Sequence, residues 1–146
     1  DLIHVPYKGT GPAMIDLLSG QAKLMFGGII GTLGQVRSGR LKALAVSSAR
    51  RFPGAPDIPT AAEAGIPGME AKLWFGLFAA AKTPRPVVMK LNREIGDILR
   101  DPETREALLS QGAEASPSTP EELGAWVKSE LVRWTPIIRR AGIKAD

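Results

Sequence analysis

Short apolar runs alternate with helical patterns along the first half of the chain. Four runs are predicted as strands because they are short, apolar and bounded by glycine, proline or polar residues. These runs cover residues 2–5, 23–26, 41–46 and 71–79. Helices are predicted between the first three runs, one from Pro12 to Gly20 and one over residues 29–37. The alternation predicts an α/β fold, with a mostly parallel sheet flanked by helices.

The pattern becomes mainly helical after about residue 70. The linking segment, residues 47–69, is rich in proline, and its Thr60 and Glu63 form a capping box that predicts one short helix ended by Gly65. Three longer helices follow, and each has a polar residue as its predicted cap: Thr83 for residues 84–99, Asp101 for the helix ended by Gly112, and Thr119 for the last. Pro136 is predicted to kink or end the last helix, and Trp126 and Trp134 are predicted to lie in the core.

Composition places the chain among ordinary globular proteins. It has 146 residues, of which 44% are hydrophobic and 23% charged, and its net charge of +4 comes from interspersed charges. That distribution argues against nucleic acid as a partner, since nucleic-acid proteins gather basic residues in a patch. The absence of cysteine excludes disulfides, thiolate metal sites and a cysteine nucleophile. The chain begins Asp1-Leu2, so we expect that processing or truncation removed what came before.

Common catalytic and cofactor motifs are missing. His4 is the only histidine and has no cysteine partner, so no metal site is predicted. No Gly-x-Ser-x-Gly elbow is present, and Lys8-Gly9-Thr10-Gly11 lacks the glycine five residues earlier that a phosphate loop requires. We therefore predict neither a cofactor nor an enzyme. An enzyme acting on a small carboxylate stays open as an alternative.

The sequence does predict an anion-binding floor. The first strand ends near Val5 and the second near Phe26, and each is followed by a glycine-containing loop and a helix. Ligands of open α/β sheets bind at the carboxyl ends of strands, and helix N-termini offer free N–H groups to carboxylates. The candidate ligand-binding residues are Tyr7, Lys8, Gly9, Thr10, Gly11, Phe26, Gly27 and Gly28. The alternative is that these glycines only serve turns.

Several segments together resemble one known family. They are His4–Gly9 followed by 12–13 and 16–20, then residues 41–48, 57–68 and 74–79, and the closing 141–144. They are similar, in order, to the receptors of tripartite tricarboxylate transporters, often called Bug receptors. The resemblance implies a periplasmic-binding-protein-like (type II) fold whose two lobes close on a small organic acid. It also implies a periplasmic location and delivery of the acid to a membrane transporter, with a sensor for a membrane signalling partner as the alternative.

The resemblance covers only the second half of such receptors, so it implies a fragment. Residues 1–70 are expected in the second lobe, and residues 71–146 are expected to return to the first lobe with the C-terminal helices. The boundary lies somewhere in residues 47–74. Sheet edges left open in a fragment favour dimerisation. Family members often carry Asp-Asn where this chain has Gly27-Gly28, which favours a plain carboxylate over an amino acid as ligand.

Overall fold

Five α-helices form the regular structure of the chain. The computed structural model describes residues 2–143. Residue 1 and residues 144–146, which belong to the predicted lobes and to the closing motif, lie outside the described part. The helices are α1 (Thr10–Ser19), α2 (Ile29–Arg37), α3 (Arg85–Arg100), α4 (Pro102–Ser110) and α5 (Pro120–Ala141). All five were predicted from the sequence, and α2 spans the predicted residues.

The four predicted strands are not formed within residues 2–143, and that part of the prediction is wrong. One parallel bridge joins Val46 to Thr60. Val46 donates its N–H to the Pro59 carbonyl at 2.8 Å and accepts from the N–H of Ala61 at 2.8 Å. A strand is stable only when its backbone groups pair with those of a neighbour. The other runs lack such a ladder in the described residues.

Apolar side chains of the unpaired runs are consequently exposed. Ile3 is 91% exposed and Phe75 is 78% exposed, although both belong to runs whose composition suits a buried strand. The segment after Val46 makes one further link, in which Ala71 donates its N–H to the Ser47 carbonyl at 2.9 Å and Ser47 Oγ donates to the Ala71 carbonyl at 2.7 Å. Val46 and Ser47 therefore make the backbone hydrogen bonds that join these runs to residues 59–61 and to Ala71.

A threonine and a glutamate three residues later exchange hydrogen bonds at two places in the chain. At the start of α5 the Glu122 N–H donates to Thr119 Oγ1, and the Thr119 N–H donates to the Glu122 carboxylate at 2.8 Å. These bonds lower the pKa of Glu122, led by the backbone bond from Thr119. Thr60 and Glu63 form the same reciprocal pair, and Arg51 donates to that carboxylate at 2.9 Å. The Arg51 bond is the main reason why the pKa of Glu63 is lowered.

Three local predictions differ from the structure. The box at Thr60 closes a turn over residues 61–65 and not a helix, because the chain reverses at Gly65, where φ is +90°. Thr83 does not cap α3; the N-cap is Pro84, and the Thr83 N–H donates to the Ala80 carbonyl in a preceding turn. The last helix does not end at Pro136 but continues to Ala141, and the alternative, a kink at Pro136, stays a prediction.

Unit 1 is one of two compact units and consists of the described part of Asp1–Trp74 together with Arg105–Glu114. Its most buried apolar side chain is Leu33 of α2, which is 2% exposed. Arg37, at the end of α2, donates to the Ser110 carbonyl at 2.8 Å and to the Gly54 carbonyl at 3.1 Å. Arg50 also pairs with Glu114. These bonds fasten the end of α4 along α2.

Unit 2 consists of Phe75–Thr104 and the described part of Ala115–Asp146, and it is built on α3 and α5. Arg85 pairs with Glu121 at 3.1 Å, and Asn92 Nδ2 donates to the Ser118 carbonyl at 2.8 Å. Trp126 is 42% exposed, so its predicted core position is wrong; α5 presents that side chain to solvent. None of the helices among residues 2–143 has the length and apolar character needed to span a membrane. The assignment of residues to two receptor lobes stays a prediction.

Candidate functional site

The N-terminus of α1 has no side-chain cap. Its N-cap residue is Gly9, whose φ of +112° is a conformation that side chains with a Cβ rarely adopt. No acidic residue lies in the first turn, and Gly9, Thr10 and Gly11 are exposed. The N–H groups of the first turn have no acceptor within the helix. They are therefore left to water or to a ligand.

The N-terminus of α2 is arranged in the same way. Gly28 is the N-cap, in an extended conformation and without a side-chain cap, and the first turn has no acidic residue. The Gly31 N–H and the Thr32 hydroxyl both donate to the Gly28 carbonyl, each at 3.2 Å. Helices α4 and α5 differ, since Asp101 and Thr119 occupy the free N–H groups at their starts. Helix α3, whose N-cap is Pro84, also lacks a side-chain cap, so α1 and α2 share this feature with α3 but not with α4 and α5.

The starts of α1 and α2 lie close together. The Thr10 Cγ2 atom lies 3.7 Å from the place that a Cβ on Gly31 would occupy, so only the space of one methyl group separates the two residues. Each helix end carries about half a positive charge, so their proximity adds two favourable fields for an anion. The structure therefore brings the loop at Gly9–Gly11 beside the start of α2.

The remaining predicted ligand-binding residues occupy different surroundings. Lys8 and Gly27 are exposed, and Phe26 projects a side chain that is mostly in solvent. A Cβ on Gly27 would lie 2.4 Å from Cε of Met25, so Met25 covers one side of this glycine. Gly28 is half-buried against Leu73, where a Cβ would lie 3.0 Å from its Cδ2 atom. Whether these residues touch a ligand stays a prediction.

Tyr7 is held by a residue that was not predicted for the site. Its hydroxyl donates to Asp16 Oδ2 at 2.8 Å, and both side chains are half-buried. This hydrogen bond is the main reason why the pKa of Tyr7 is raised. Asp16 lies on α1, nine residues from Tyr7 in sequence. The sequence spacing of Tyr7 and Asp16 gave no signal, because their hydrogen bond depends on how the loop folds back onto α1.

Gly112 is a second residue that the sequence did not connect with the site. It is buried, has φ of +94°, and passes beside the first residues of α2. A Cβ there would lie 3.0 Å from the Ile30 nitrogen and 3.1 Å from the Ile29 carbonyl oxygen. The segment after α4 therefore packs on the start of α2, at a place where only glycine fits.

One small pocket lies behind Gly27. Its volume is about 70 Å³, and α2 and the run at residues 43–46 supply most of its lining, including Leu33, Val36 and Val46. Binding pockets for small organic ligands usually have several hundred Å³, so this pocket is too small for such a ligand. Within residues 2–143 no group of three His, Asp or Glu side chains is arranged for a metal ion. The starts of α1 and α2 present backbone N–H donors, a kind of group that suits an anion.

Comparison with known families gives one match over nearly the whole chain. Residues 1–143 match the family described as "Tripartite tricarboxylate transporter family receptor". A curated relative, a UPF0065 protein in the tcbD-tcbE intergenic region of a Pseudomonas species, is 40% identical; the match covers all of this chain and 44% of that protein. The chain thus spans about half the length of most of the curated relatives it matches.

Solved structures agree with the sequence comparison. The periplasmic binding protein BugD is 40% identical with a TM-score of 0.85, and the match covers 100% of this chain and 50% of that one. An R. palustris protein solved with adipate has 34% identity and a TM-score of 0.88 over 95% and 46% of the two chains. MatC from Rhodopseudomonas palustris, solved with bound malate, has 37% identity and a TM-score of 0.81 over 92% and 47%. The predicted periplasmic-binding-protein-like fold class is confirmed.

Proposed function

Because this chain belongs to the family of tripartite tricarboxylate transporter receptors, we propose that it is part of an extracytoplasmic receptor that binds a small organic acid by its carboxylate. The observation that carries the proposal is that the uncapped starts of α1 and α2 lie close together, at Thr10 and Gly31. Solved relatives that contain adipate and malate support the ligand class.

Charge-assisted hydrogen bonds provide the affinity. A carboxylate accepts from backbone N–H groups, and each bond to a charged group contributes about 1.5–3 kcal/mol when water is excluded. The loop at Gly9–Gly11 is exposed in this chain, so a closing partner surface is needed to exclude water and strengthen these bonds. We propose that the rest of the receptor supplies that surface, and that the ligand stabilises the closed form by its higher affinity for it.

Two glycines favour a plain dicarboxylate over an amino acid. Gly27 and Gly28 follow the second strand-like run and have no side chain that could pair with an ammonium group. An α-amino acid would bring that ammonium group beside two positive helix ends, where it is repelled. Adipate and malate, the ligands of the two R. palustris structures, are both dicarboxylates without an amino group.

Delivery follows from the family. We propose that the receptor works in the periplasm and passes its acid to the membrane subunits of a tripartite tricarboxylate-type transporter, without chemical turnover. Homologues described as periplasmic support the location. When the chain is expressed alone, we propose that a second copy covers exposed apolar residues such as Ile3 and Phe75.

A thermal-shift screen of the full-length product of the gene tests this function. Adipate, malate and further dicarboxylates at about 100 times Kd are expected to stabilise the receptor by about 2.7 kcal/mol. For a receptor about twice the length of this chain, that corresponds to a rise of about 4 °C in Tm, because the shift per kcal/mol falls with protein size. The uncharged dimethyl esters of the same acids are the control and are expected to give no shift.

Three results would contradict the proposal in different ways. A flat response to every organic acid would refute the receptor function. An amino acid that stabilises the protein more than any dicarboxylate would refute the ligand class. Consumption of a bound acid, followed by NMR of the free ligand, would favour the enzyme alternative.

A further inference from the structure

We propose that Asp16 positions the anion-binding loop through Tyr7, and that Tyr7 itself does not bind the ligand. The inference rests on the proposed function, because it assigns a role within the same site. Its basis is the 2.8 Å hydrogen bond from the Tyr7 hydroxyl to Asp16 Oδ2. A hydroxyl that already donates to a carboxylate has no proton to offer a second carboxylate.

The loop needs such an anchor. Tyr7 directly precedes Lys8–Gly11, and a Cβ on either Gly9 or Gly11 would meet open space, with no atom within 4 Å. No neighbouring group packs at the Cβ positions of these two glycines, and Gly9, which precedes α1, has the wide conformational freedom of glycine. A loop that is ordered only when the ligand binds loses affinity by the entropy of ordering. The bond from Tyr7 to the middle of α1 removes part of that cost beforehand.

Asp16 also ties down the chain on the other side of α1. Its carbonyl accepts the Ala22 N–H at 3.0 Å and the Ser19 hydroxyl at 3.1 Å. The segment that begins at Ala22 leads to Gly27 and Gly28. One residue of α1 is thus bonded to the loop before the helix and to the segment after it. Substitution of the side chain leaves the carbonyl in place, so the Tyr7 bond can be removed separately.

The charge of Asp16 allows a positioning role to be distinguished from a purely electrostatic one. The Asp16 carboxylate lies on the helix whose N-terminus is to receive an anion, and its negative charge opposes binding there. If Asp16 acted by charge alone, Asp16→Asn would tighten binding, and so would Asp16→Ala. If it acts by holding Tyr7, the two substitutions separate, because the asparagine side-chain oxygen still accepts from the tyrosine hydroxyl and alanine offers no acceptor.

The test measures Kd for adipate and malate by calorimetry on the full-length gene product and on four variants. Tyr7→Phe and Asp16→Ala are each expected to weaken binding about 10-fold, and the double variant is expected to be no weaker than either alone, because both remove one bond. Asp16→Asn is expected to stay within about 3-fold of the unchanged receptor. A lower NMR order parameter of the Gly9 amide in the ligand-free Tyr7→Phe protein is expected to accompany the loss.

Several outcomes would overturn the inference. Unchanged affinity in Tyr7→Phe would do so, as would additive losses in the double variant or an Asp16→Asn protein as weak as Asp16→Ala. A receptor that binds adipate and malate in its unchanged form but gives any of these results refutes the role of Asp16 alone. An unchanged receptor that binds neither these acids nor any other organic acid refutes the proposed function and this inference with it.

Discussion

Gly28→Asp is expected to weaken dicarboxylate binding about 100-fold while leaving the free receptor as stable as before, or more stable. Gly28 is the N-cap of α2, with φ of −65° and ψ of 137°, a conformation that aspartate adopts readily. An aspartate there accepts from the first-turn N–H groups of α2 and stabilises the helix by a few tenths of a kcal/mol relative to glycine. Its carboxylate then occupies the place proposed for the ligand and repels it, and the loss of one or two charged hydrogen bonds corresponds to about 100-fold in Kd.

Two matched variants separate the charge from the added atoms. Gly28→Ala introduces the same Cβ beside Leu73 without any carboxylate, and we expect it to change Kd less than about 5-fold. Gly28→Asn caps the helix without a charge, and we expect an intermediate loss. Calorimetry with adipate and malate gives Kd, and thermal unfolding of the free protein gives the stability. If Gly28→Asp bound the acids as tightly as Gly28→Ala, the start of α2 would not be part of the site.

Gly112→Ala is expected to destabilise the protein by about 2–4 kcal/mol, which corresponds to a fall in Tm of about 5–15 °C. The backbone of Gly112 has φ of +94°, and a Cβ would lie 3.0 Å from the Ile30 nitrogen. A left-handed conformation costs any residue other than glycine roughly 1–2 kcal/mol. The overlap with backbone atoms cannot be relieved by a rotamer change, so the start of α2 must move. We therefore expect weaker acid binding as well.

Gly34→Ala is the matched control, and we expect it to have the opposite sign. Gly34 lies inside α2, and a Cβ there would have no atom within 4 Å. Alanine is favoured over glycine in helix interiors by roughly 0.5–1 kcal/mol, so this variant should unfold at a higher temperature. Thermal and denaturant unfolding of both variants measures the difference. Equal effects of the two substitutions would show that Gly112 does not support the start of α2.

Local signals in the sequence were sufficient for the five helices that formed, although the box at Thr60 and Glu63 wrongly predicted a sixth. The α2 bounds followed from the glycines on either side and the spacing of Ile30, Leu33 and Val36. The start of α5 followed from the box of Thr119 and Glu122, whose reciprocal bonds are present. Such caps form between residues that are three apart, so the sequence alone is sufficient to predict them.

The strands could not be predicted in the same way. The run at residues 71–79 has the composition of a buried strand, yet Phe75 is exposed. A strand is stabilised by its neighbours and not by its own sequence. Within residues 2–143 the backbone pairing of the four runs is limited to the bridge between Val46 and Thr60 and the link between Ser47 and Ala71. Apolar side chains such as Phe75 therefore stay exposed in the described residues.

The candidate site was predictable in part. Glycine-containing loops before two helices indicated uncapped N-termini, and Gly9 and Gly28 are the N-cap residues. The links of Tyr7 to Asp16 and of Gly112 to Ile30 could not be predicted, because they depend on tertiary packing that no local motif encodes. We expect these two links to hold the starts of α1 and α2 in place. Apart from changes in the backbone proposed to bind the ligand, substitutions that break them have the largest expected effects.

The direct measurement is the ¹H–¹⁵N spectrum of the full-length receptor during titration with adipate or malate. If the starts of α1 and α2 bind the acid together, the amide signals of Thr10, Gly11, Ile29 and Ile30 will show the largest downfield shifts. These four shifts will reach their limits at the same ligand concentration. If those four signals stay in place while the acid binds elsewhere, the account is wrong.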